Sequence, residues 1–581
     1  MKVIDFKNAS CKHCYKCVRS CSVKAIKVKD AQATIMDDHC VLCGTCLEVC
    51  PQNAKTFVSD LEKVKAFITM GEKTIVSLAP AYLGIFDYDK PGQVVDALLR
   101  LGFSEVRETA EGAAYVTEAY ARLLEEGQMK NIISTCCPSV NELVEKYYPE
   151  LVEYMAPVVS PMIAHGKLIK SMYGPDVKVV FVGPCIAKKQ EAEGDDRTTG
   201  FVDAVLNFEE IESWLQERDI SIRECEGKQP TNPDPKVNRL YPVTSGVISS
   251  VLAKKKVDSY KKIFVDGIED CREVFEDMKK GLIDGCFIEA NMCEGGCVKG
   301  PAVNKLHISK YKATMVIEEQ VEKQDPAYSQ LAGNIDISKH FRSERIQDEM
   351  PTEEQITRIL KATGKYNKTQ ELNCGACGYP TCRDKAIAVF QGKAEQEMCL
   401  PHVYEKARSM SNVVLEATPE IVLIEDSAFQ IIEFNKRAED VFGINKSEAV
   451  NKMIFEIMDA SDFEQVLEDH LSIKRKKIHL SGLGLVLVEN IIYIEEMDAM
   501  LAIFQDITDE EAEMERQLQM RMDTVDIAQQ VIDKQMTVAQ EIAGLLGETT
   551  AETKVILTQL RDSMMKEADQ TDSRRRKIEW K

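Results

Sequence analysis

A chain of 581 residues is too long for a single hydrophobic core, so three or more domains are expected. Its formal net charge of -22 disfavours binding to nucleic acid or to anionic lipid. The N-terminus lacks the apolar core of a secretion signal, and no apolar run is long enough to cross a bilayer. We therefore expect a cytoplasmic protein with neither a nucleic-acid partner nor a membrane partner.

All twenty cysteines precede residue 400, and the C-terminal part of the chain contains none. Without a secretion signal, this many cysteines indicate metal ligands or redox groups rather than disulfides. Metal chemistry and the C-terminal part are therefore expected in separate modules. Cys225, Cys271 and Cys286 stand outside any cluster spacing and are expected to be structural thiols. His165 and His307 are likewise expected to be structural histidines.

Residues 1–60 contain two cysteine runs with the same spacing, Cys-x2-Cys-x2-Cys-x3-Cys. This spacing is that of the bacterial two-cluster ferredoxins, in which the fourth cysteine of each run binds the cluster of the other run. The predicted ligands are Cys11, Cys14, Cys17 and Cys50 for one 4Fe-4S cluster, and Cys40, Cys43, Cys46 and Cys21 for the other. A pair of zinc sites is the alternative, since Cys-x2-Cys also binds zinc. The duplicated pattern favours clusters.

A third set lies in residues 366–408 and reads Cys374-x2-Cys377-x4-Cys382-x16-Cys399. Glycines 375 and 378 allow the backbone to approach a cluster and its amides to bond the sulfurs. The set resembles the small four-cysteine iron-sulfur domain of anaerobic electron-transfer proteins, which implies a third accessory 4Fe-4S cluster. A structural zinc site is the alternative.

Between residues 70 and 365, apolar runs alternate with helical patterns, which predicts parallel strands joined by crossover helices. Three runs lead into cysteines: NIISTCCPSV, VKVVFVGPCIAKK and GCFIEANMCEGGC. Ligands of open α/β sheets lie beyond the carboxyl ends of the strands, so the three loops should meet at one buried site. That site would collect Cys137, Cys185, Cys293 and Cys297, with Lys188 beside them. A buried lysine needs an anionic partner, and a metal centre with anionic ligands would be one.

Cys136 stands directly before Cys137, and neighbouring side chains of an extended segment point to opposite faces. The two thiols therefore cannot easily bind the same metal ion. One of them is expected to bind metal, and the other needs a different role.

The three loops, with SPMIAHGKLIK and YPVTSG between them, resemble the motifs of FeFe hydrogenases over about residues 70–310. The resemblance implies a two-lobed α/β domain with an H-cluster, a 4Fe-4S cubane joined to a diiron centre that carries CO, cyanide and an azadithiolate. It implies that the cubane ligands are Cys137, Cys185, Cys293 and Cys297, of which Cys297 bridges to the diiron centre. Lys188 would hydrogen-bond a cyanide, and Cys136 would pass protons to the bridging amine.

Several positions depart from the pattern of the highly active members of that family. Gly183 replaces a methionine and Val140 replaces a tryptophan. We therefore expect the cavity to be lined by different side chains from those of the highly active members. An approximate alignment places Glu118 as the inner glutamate of the proton relay, whereas Ala156 and Tyr115 replace the two outer members. Turnover is therefore expected to be slow.

Residues 409–508 contain two strand patterns, the phrase FNKRAEDVFG and a closing FQDIT, and in this order resemble a PAS domain. The resemblance allows haem, flavin or no ligand. No cysteine is available for a flavin adduct, and His470 and His479, the possible haem ligands, are expected at the surface. We therefore expect a PAS domain that binds no ligand and transmits a signal.

Residues 509–581 read as a helix in which Leu518, Val525 and Ile532 recur every seven residues. This spacing leaves two interpretations open. The chain forms a homodimer through the PAS domain and the helix, or the helix packs back on its own PAS domain.

The sequence thus predicts a multidomain α/β and α+β protein: a ferredoxin-like domain, a hydrogenase domain, a small 4Fe-4S domain, a PAS domain and a C-terminal helix. The leading hypothesis is a low-turnover FeFe hydrogenase that interconverts H2 with protons and electrons and exchanges electrons with a ferredoxin-type carrier. It would act as a hydrogen sensor that relays its redox state through the PAS domain to a downstream protein. A metabolic ferredoxin-linked hydrogenase is the alternative. A second alternative is an iron-sulfur carrier or assembly protein without diiron, against which Cys136 and Lys188 argue.

Overall fold

The computed structural model describes residues 2–6, 10–255, 259–303, 309–322, 331, 333–450, 452–543, 554–560 and 562. The chain divides into two compact units, Met1–Val403 and Tyr404–Lys581. Within the described ranges, no helix combines the length and the apolar character needed to cross a membrane.

The N-terminal cysteine runs lie among short helices and antiparallel strand pairs. The elements are β1 (Ile4–Phe6), α1 (Lys16–Arg19), β2 (Ile26–Lys29), β3 (Gln32–Ile35), α2 (Thr45–Glu48) and β4 (Lys55–Phe57). β1 pairs with β4, and β2 pairs with β3, each antiparallel. Cys17 lies in α1 and Cys46 lies in α2, so the two runs occupy equivalent places in a duplicated fold.

Two parallel sheets form the middle of the first unit. The strands are β5 (Thr74–Leu78), β6 (Glu105–Glu108), β7 (Ile132–Ile133), β8 (Lys178–Gly183), β9 (Ala204–Asn207), β10 (Lys261–Asp266) and β11 (Cys286–Asn291). One sheet has the order β6-β5-β8-β9, and the other has the order β10-β11-β7. β5 is buried along its whole length between β6 and β8, as expected of an inner strand in a parallel sheet. The predicted parallel α/β architecture is confirmed.

Helices cover these sheets and complete the first unit. They are α3 (Leu61–Thr69), α4 (Tyr82–Ile85), α5 (Gly92–Arg100), α6 (Ala110–Glu126), α7 (Pro138–Tyr147), α8 (Pro161–Tyr173), α9 (Ala187–Lys189), α10 (Phe208–Glu217), α11 (Gly246–Lys254), α12 (Ile268–Lys279), α13 (Lys310–Glu322), α14 (Glu353–Ala362) and α15 (Cys382–Phe390). Pro138 and Pro161 stand in the first turns of α7 and α8, where a missing N–H costs no hydrogen bond. These two helices therefore begin at fixed points next to the cysteine loops.

The four-cysteine segment begins earlier than the sequence indicates. Ile356 and Leu360 of α14 pack against Ala386 of α15 in a small apolar cluster. The segment therefore extends back to Glu353 at least, ahead of the predicted start at residue 366. The predicted boundary at 408/409 is also displaced, because it falls inside the helix α16 (Leu400–Ala417).

The second unit contains an antiparallel sheet with helices between its second and third strands. Its elements after α16 are β12 (Ile421–Asp426), β13 (Ile431–Phe434), α17 (Lys436–Phe442), α18 (Lys446–Ala449), α19 (Ser461–Asp469), β14 (Ile473–Leu480), β15 (Leu485–Ile494), β16 (Ala499–Asp506) and α20 (Thr508–Ala543). The strand order is β13-β12-β16-β15-β14. Asn435 caps α17 by accepting a hydrogen bond from the backbone N–H of Ala438, which explains why the phrase FNKRAEDVFG starts a helix there. The predicted C-terminal helix is confirmed as far as Ala543.

Candidate active site and cluster sites

Three loops at the carboxyl ends of parallel strands meet at one buried cavity. β8 belongs to one sheet, and β7 and β11 belong to the other, so the cavity lies where the ends of the two sheets face each other. Its walls contain the thiols of Cys136, Cys137, Cys185, Cys293 and Cys297 together with Lys188. Prolines and Met292 supply much of the remaining surface. The structure thus brings together the cysteines that the sequence places in this site.

The buried thiols of this cavity stay protonated unless a cation balances them. Burial raises the pKa of Cys185 to about 11, with a further contribution from the charge of Cys137. Burial raises the pKa of Cys293 well above its usual value, and the nearby thiols of Cys297 and Cys185 raise it further. Four thiolates this close repel one another, and iron ions would remove that repulsion. The donor set therefore fits a thiolate-bound iron cluster.

Lys188 has an anionic partner within the chain. Its Nζ atom lies 2.8 Å from Oε2 of Glu191 and 3.2 Å from the backbone oxygen of Cys136. Ser160 donates its hydroxyl to the same carboxylate oxygen at 2.8 Å. Glu191 lies in a single π-helical turn, Gln190–Gly194, an irregularity often found at functional sites. The sequence interpretation missed Glu191, although an acid three residues after a helical lysine is a usable signal.

The thiol of Cys136 contacts the hydroxyl of Tyr120. The oxygen lies 3.2 Å from Sγ, and it also accepts a hydrogen bond from the backbone N–H of Thr135 at 2.8 Å. Burial raises the pKa of Cys136 to about 12, while Tyr120 and the positive charge of Lys188 partly oppose the rise. The thiol is therefore protonated at neutral pH and can donate its proton into the cavity.

The structure does not place Glu118 next to this thiol. The carboxylate of Glu118 pairs with Lys254 and, at 3.3 Å, with Nε of Arg122. Glu118 and Tyr120 are two positions apart on α6, so their side chains point about 200° apart around the helix. Since Tyr120 faces Cys136, Glu118 faces away. The structure therefore places Tyr120, and not Glu118, next to Cys136.

Glu289 is a titratable group near Cys136 that the sequence interpretation missed. It is fully buried on β11, and burial raises its pKa to about 7. The backbone N–H of Ile248 donates to its Oε2 at 2.8 Å, and Asn291 donates to its Oε1 at 3.2 Å. The charge of Glu289 also raises the pKa of Cys136. Glu289 could have been identified from the sequence, because it is the one acidic residue inside the apolar run CFIEAN.

The ferredoxin-like part brings one of its two predicted ligand sets together. The pKa of Cys40 is raised to about 12 by burial, and the thiols of Cys43 and Cys21 add to the rise. The pKa of Cys46 is raised by burial and by the same neighbours. Together, Cys21, Cys40, Cys43 and Cys46 are the predicted ligand set that combines three cysteines of the second run with the fourth cysteine of the first. The grouping of Cys11, Cys14, Cys17 and Cys50 remains a prediction.

This ferredoxin-like set adjoins the cavity. Cys43 and Leu42 line the same cavity wall as Cys137. Ser139 donates its hydroxyl to the backbone oxygen of Leu42 at 3.1 Å, and Lys146 donates to that of Cys40 at 2.9 Å. The two cysteine sets therefore occupy adjacent sites.

The third cysteine set is surrounded by lysines. Lys365 lies with Nζ 3.3 Å from Sγ of Cys399. Lys385 is also buried, and the charges of Cys399 and Cys377 oppose the lowering of its pKa that burial causes. Positive charge beside the thiols suits an anionic cluster. In the part of the chain that the structure describes, no group of three or more His, Cys, Asp or Glu side chains is arranged to hold a single metal ion.

The remaining predicted residues take structural roles. Cys225, Cys271 and Cys286 are buried, as expected. His165 is buried between Ser77 and Glu111, with ring nitrogens 2.8 Å from Oγ and 3.1 Å from Oε2. His307 lies outside the described residues. His470 and His479 are exposed on the second unit, as expected of surface histidines.

Three families match parts of the chain. Residues 72–301 match the family described as "Iron only hydrogenase large subunit, C-terminal domain". Residues 10–54 match the family described as "4Fe-4S dicluster domain", and residues 370–401 match the family described as "Putative Fe-S cluster". The first match contains the cavity cysteines of the three loops, the second contains both N-terminal runs, and the last contains the third cysteine set.

The chain is similar to several hydrogenases. It is 27% identical to iron hydrogenase 1 of Clostridium pasteurianum, over 49% of this chain and 68% of that protein. It is 28% identical to the periplasmic Fe hydrogenase large subunit of Nitratidesulfovibrio vulgaris, over 36% of this chain and 61% of that protein. In structure, the chain is similar to an apo variant of the FeFe hydrogenase HydA1 of Chlamydomonas reinhardtii. The match covers 50% of this chain and 100% of that protein, with 16% identity and a TM-score of 0.40. All three of these proteins are named as hydrogenases.

Proposed function

Because residues 72–301 belong to the iron-only hydrogenase family, we propose that the whole chain is an FeFe hydrogenase that interconverts H2 with two protons and two electrons. The cofactors of this family are 4Fe-4S clusters and the H-cluster. The observation that carries the proposal is the convergence of six cysteines, Cys43 among them, and one lysine on a single buried cavity.

In this proposal the cavity cysteines divide into ligands and a proton carrier. Cys137, Cys185, Cys293 and Cys297 would hold the H-cluster, and retention of its diiron part would depend on Cys297. The bound H-cluster would supply the iron chemistry that cleaves H2 and takes up its electrons. The prolines and Met292 of the cavity wall limit the access of water.

Cys136 moves the proton at its Sγ atom. Its high pKa keeps the thiol protonated, and the hydroxyl of Tyr120 can replace a proton that the thiol gives up. Glu289, with a pKa of about 7, is the nearby carboxyl that can exchange protons at neutral pH. The contact between Cys136 and Tyr120 supports a proton relay through cysteine and tyrosine, and we propose Glu289 as its next member because its charge acts on Cys136.

Lys188 orients and binds rather than transfers protons. Its pairing with Glu191 keeps the ammonium charged, because the carboxylate raises the pKa that burial lowers. The ammonium is directed at the backbone of Cys136 and lines the cavity, where it can bind an anionic ligand. An iron-sulfur carrier without diiron has no need of this cation or of Cys136, so both residues favour the hydrogenase.

We propose further that the chain senses hydrogen. The helix α16 begins at Leu400, directly after the predicted ligand Cys399, and β12 begins at Ile421. Reduction of the third cluster adds charge at the start of this helix, which can bias the conformation of the PAS-like unit and its partner.

The surface of α20 supports a partner for the second unit. From residue 513 onward its described residues are mostly exposed, among them Leu518, Val531 and Ile542. Exposed apolar side chains along α20 favour pairing with a second chain over packing back on the same unit. A homodimer through α20, with a downstream signalling protein, is therefore part of the proposal. A ferredoxin-type carrier is the proposed partner for electron exchange.

A truncation distinguishes sensing from metabolism. A chain that ends at residue 403, the boundary of the first unit, should oxidise H2 with a dye acceptor as fast as the full chain does. In the full chain, matured with its diiron cofactor, H2 should change the amide-exchange protection of α20 relative to argon. Equal protection under both gases, in protein whose clusters are reduced by H2, would leave the metabolic alternative in place.

A further inference from the structure

The third cysteine segment docks on the ferredoxin-like part through backbone contacts. Arg19 donates to the backbone oxygen of Ala376 at 3.0 Å, and the N–H of Val28 donates to that of Lys393 at 2.9 Å. Cys17 and Tyr379 belong to one apolar cluster. The two cysteine sets therefore meet across a packed seam.

Lys24 spans this seam. Its Nζ atom lies 2.8 Å from the backbone oxygen of Gly378 on one side and 3.2 Å from that of Val18 on the other. The thiols of Cys21 and Cys377 both raise the pKa of this one ammonium, against the effect of burial. One positive charge therefore acts on a thiol of each set.

The backbone of Lys24 is in a region that glycine favours, with φ of 50°. A lysine is uncommon in this left-handed region, and such positions persist where the surroundings hold them. Glycine would fit the backbone here more easily but would leave the two carbonyl groups and the two thiols without the ammonium. The position therefore indicates a role for the side chain.

Tyr379 is a second polar group at the same seam. It is 4% exposed, and its hydroxyl has no hydrogen-bond partner among the residues that the structure describes. The charges of Cys377 and Cys21 both raise its pKa, in addition to burial. A buried hydroxyl without a partner is costly, and sulfur atoms of bound clusters would supply the missing acceptor.

We propose that Lys24 and Tyr379 form an electrostatic bridge between the cluster held by the Cys21 set and the cluster held by the Cys377 set. This inference rests on the cluster assignments of the proposed function. Each electron added to either cluster adds one negative charge, which the shared ammonium and the hydroxyl dipole stabilise. The bridge makes both clusters easier to reduce, and it marks the contact by which electrons from the cavity reach the segment that precedes α16.

The test is a redox titration of the full-length protein, reconstituted under anaerobic conditions and followed by electron paramagnetic resonance. Lys24→Gln should shift the midpoint potentials of the clusters assigned to the Cys21 set and to the Cys377 set to more negative values. The potential of the cluster assigned to Cys11, Cys14, Cys17 and Cys50 should stay unchanged. Lys24→Arg keeps the charge and should restore the original potentials. Tyr379→Phe should shift the same two clusters by a smaller amount. Lys27→Gln removes an exposed lysine of β2 and serves as the matched control.

Iron content and circular dichroism of each variant are measured first, so that a folding defect is recognised. If Lys24→Gln does not fold, Tyr379→Phe and Lys24→Arg carry the test. Any of three results would overturn the bridge: unchanged potentials in Lys24→Gln, a shift of one cluster alone, or an equal shift of all clusters. If Lys24→Gln does not fold, unchanged potentials in Tyr379→Phe would overturn it. Absence of the accessory cluster signals in the unsubstituted protein would instead overturn the cluster assignments, and loss of H2 oxidation alone would affect only the proposed function.

Discussion

The hydroxyl of Tyr120 lies 3.2 Å from the Sγ atom of Cys136. This contact joins a residue of α6 to the loop after β7, and both groups are buried. Because hydrogen bonding to Tyr120 lowers the pKa of the thiol, the tyrosine makes its proton easier to release.

Removing the thiol or its hydroxyl partner should slow proton transfer. Cys136→Ala should lower H2 oxidation by about 100-fold or more while retaining iron, since general acid and base groups contribute on that scale. Tyr120→Phe should slow H2 oxidation less, because the thiol remains in place but its pKa rises further without the hydroxyl, so its proton is harder to release. Dye-linked H2 oxidation at pH 7 measures both. Glu118→Gln is the matched control on α6, and an effect as large as that of Tyr120→Phe would restore Glu118 to the relay.

Glu191 should stabilise the fold through Lys188. Glu191→Gln leaves the buried ammonium without its carboxylate, which costs about 3–5 kcal/mol of unfolding free energy in buried pairs. Urea unfolding of the apoprotein measures the change. The control is Glu193→Gln in the same π-helical segment, whose partner Lys63 is exposed and whose loss should cost about 1 kcal/mol or less. Equal stability of the two variants would contradict this role.

The sequence predicted the cavity well because strand, loop and cysteine follow one another along the chain. Cys137, Cys185 and Cys293 each come directly after a buried strand, and parallel strands bring such loops to one edge. The proton relay was predicted poorly, because it depends on which face of a single helix meets the loop. A shift of two residues on α6 exchanges Tyr120 for Glu118, and an alignment without side-chain contacts cannot fix that register.

The stability of the second unit should depend on pH through the side chain of Glu425. This residue faces the interior from β12, and burial, with a contribution from the charge of Asp426, raises its pKa to about 8. The folded state therefore holds a proton that the unfolded state loses near pH 4.5, so stability falls as the pH rises from about 4.5 to about 8. Glu425→Gln should remove much of that fall. Amide-exchange protection factors of β12 at pH 6 and pH 9 measure it, with exposed Glu405→Gln as the control. A mutant that keeps the whole pH dependence would exclude Glu425 as its source.

Module boundaries were harder to predict than modules. The cysteine spacing of the third set is plain in the sequence, but Ile356 and Leu360 contribute to its core from a helix without cysteines. Likewise, the predicted boundary at 408/409 falls inside α16, because nothing in the residues after Cys399 marks them as one continuous helix. Both errors arise because packing partners, rather than local spacing, decide where a compact segment begins.

The iron content should match four clusters and a diiron centre. The matured chain should contain about 18 iron atoms, and Cys377→Ser should contain about 14, since each 4Fe-4S cluster holds four. Elemental analysis that includes zinc measures both, and Cys225→Ser, which removes a structural thiol, should leave the total unchanged. Stoichiometric zinc that disappears with Cys377→Ser would assign the third set to zinc.

Infrared spectroscopy tests the hydrogenase assignment most directly. The full chain is incubated with a synthetic diiron cofactor, and the bands of CO and cyanide are recorded for the unsubstituted protein and for Cys297→Ser. The proposed cavity predicts CO and cyanide bands in the unsubstituted protein that change under H2, and their absence in Cys297→Ser. A sample with intact accessory clusters that shows no such bands after incubation would contradict the assignment.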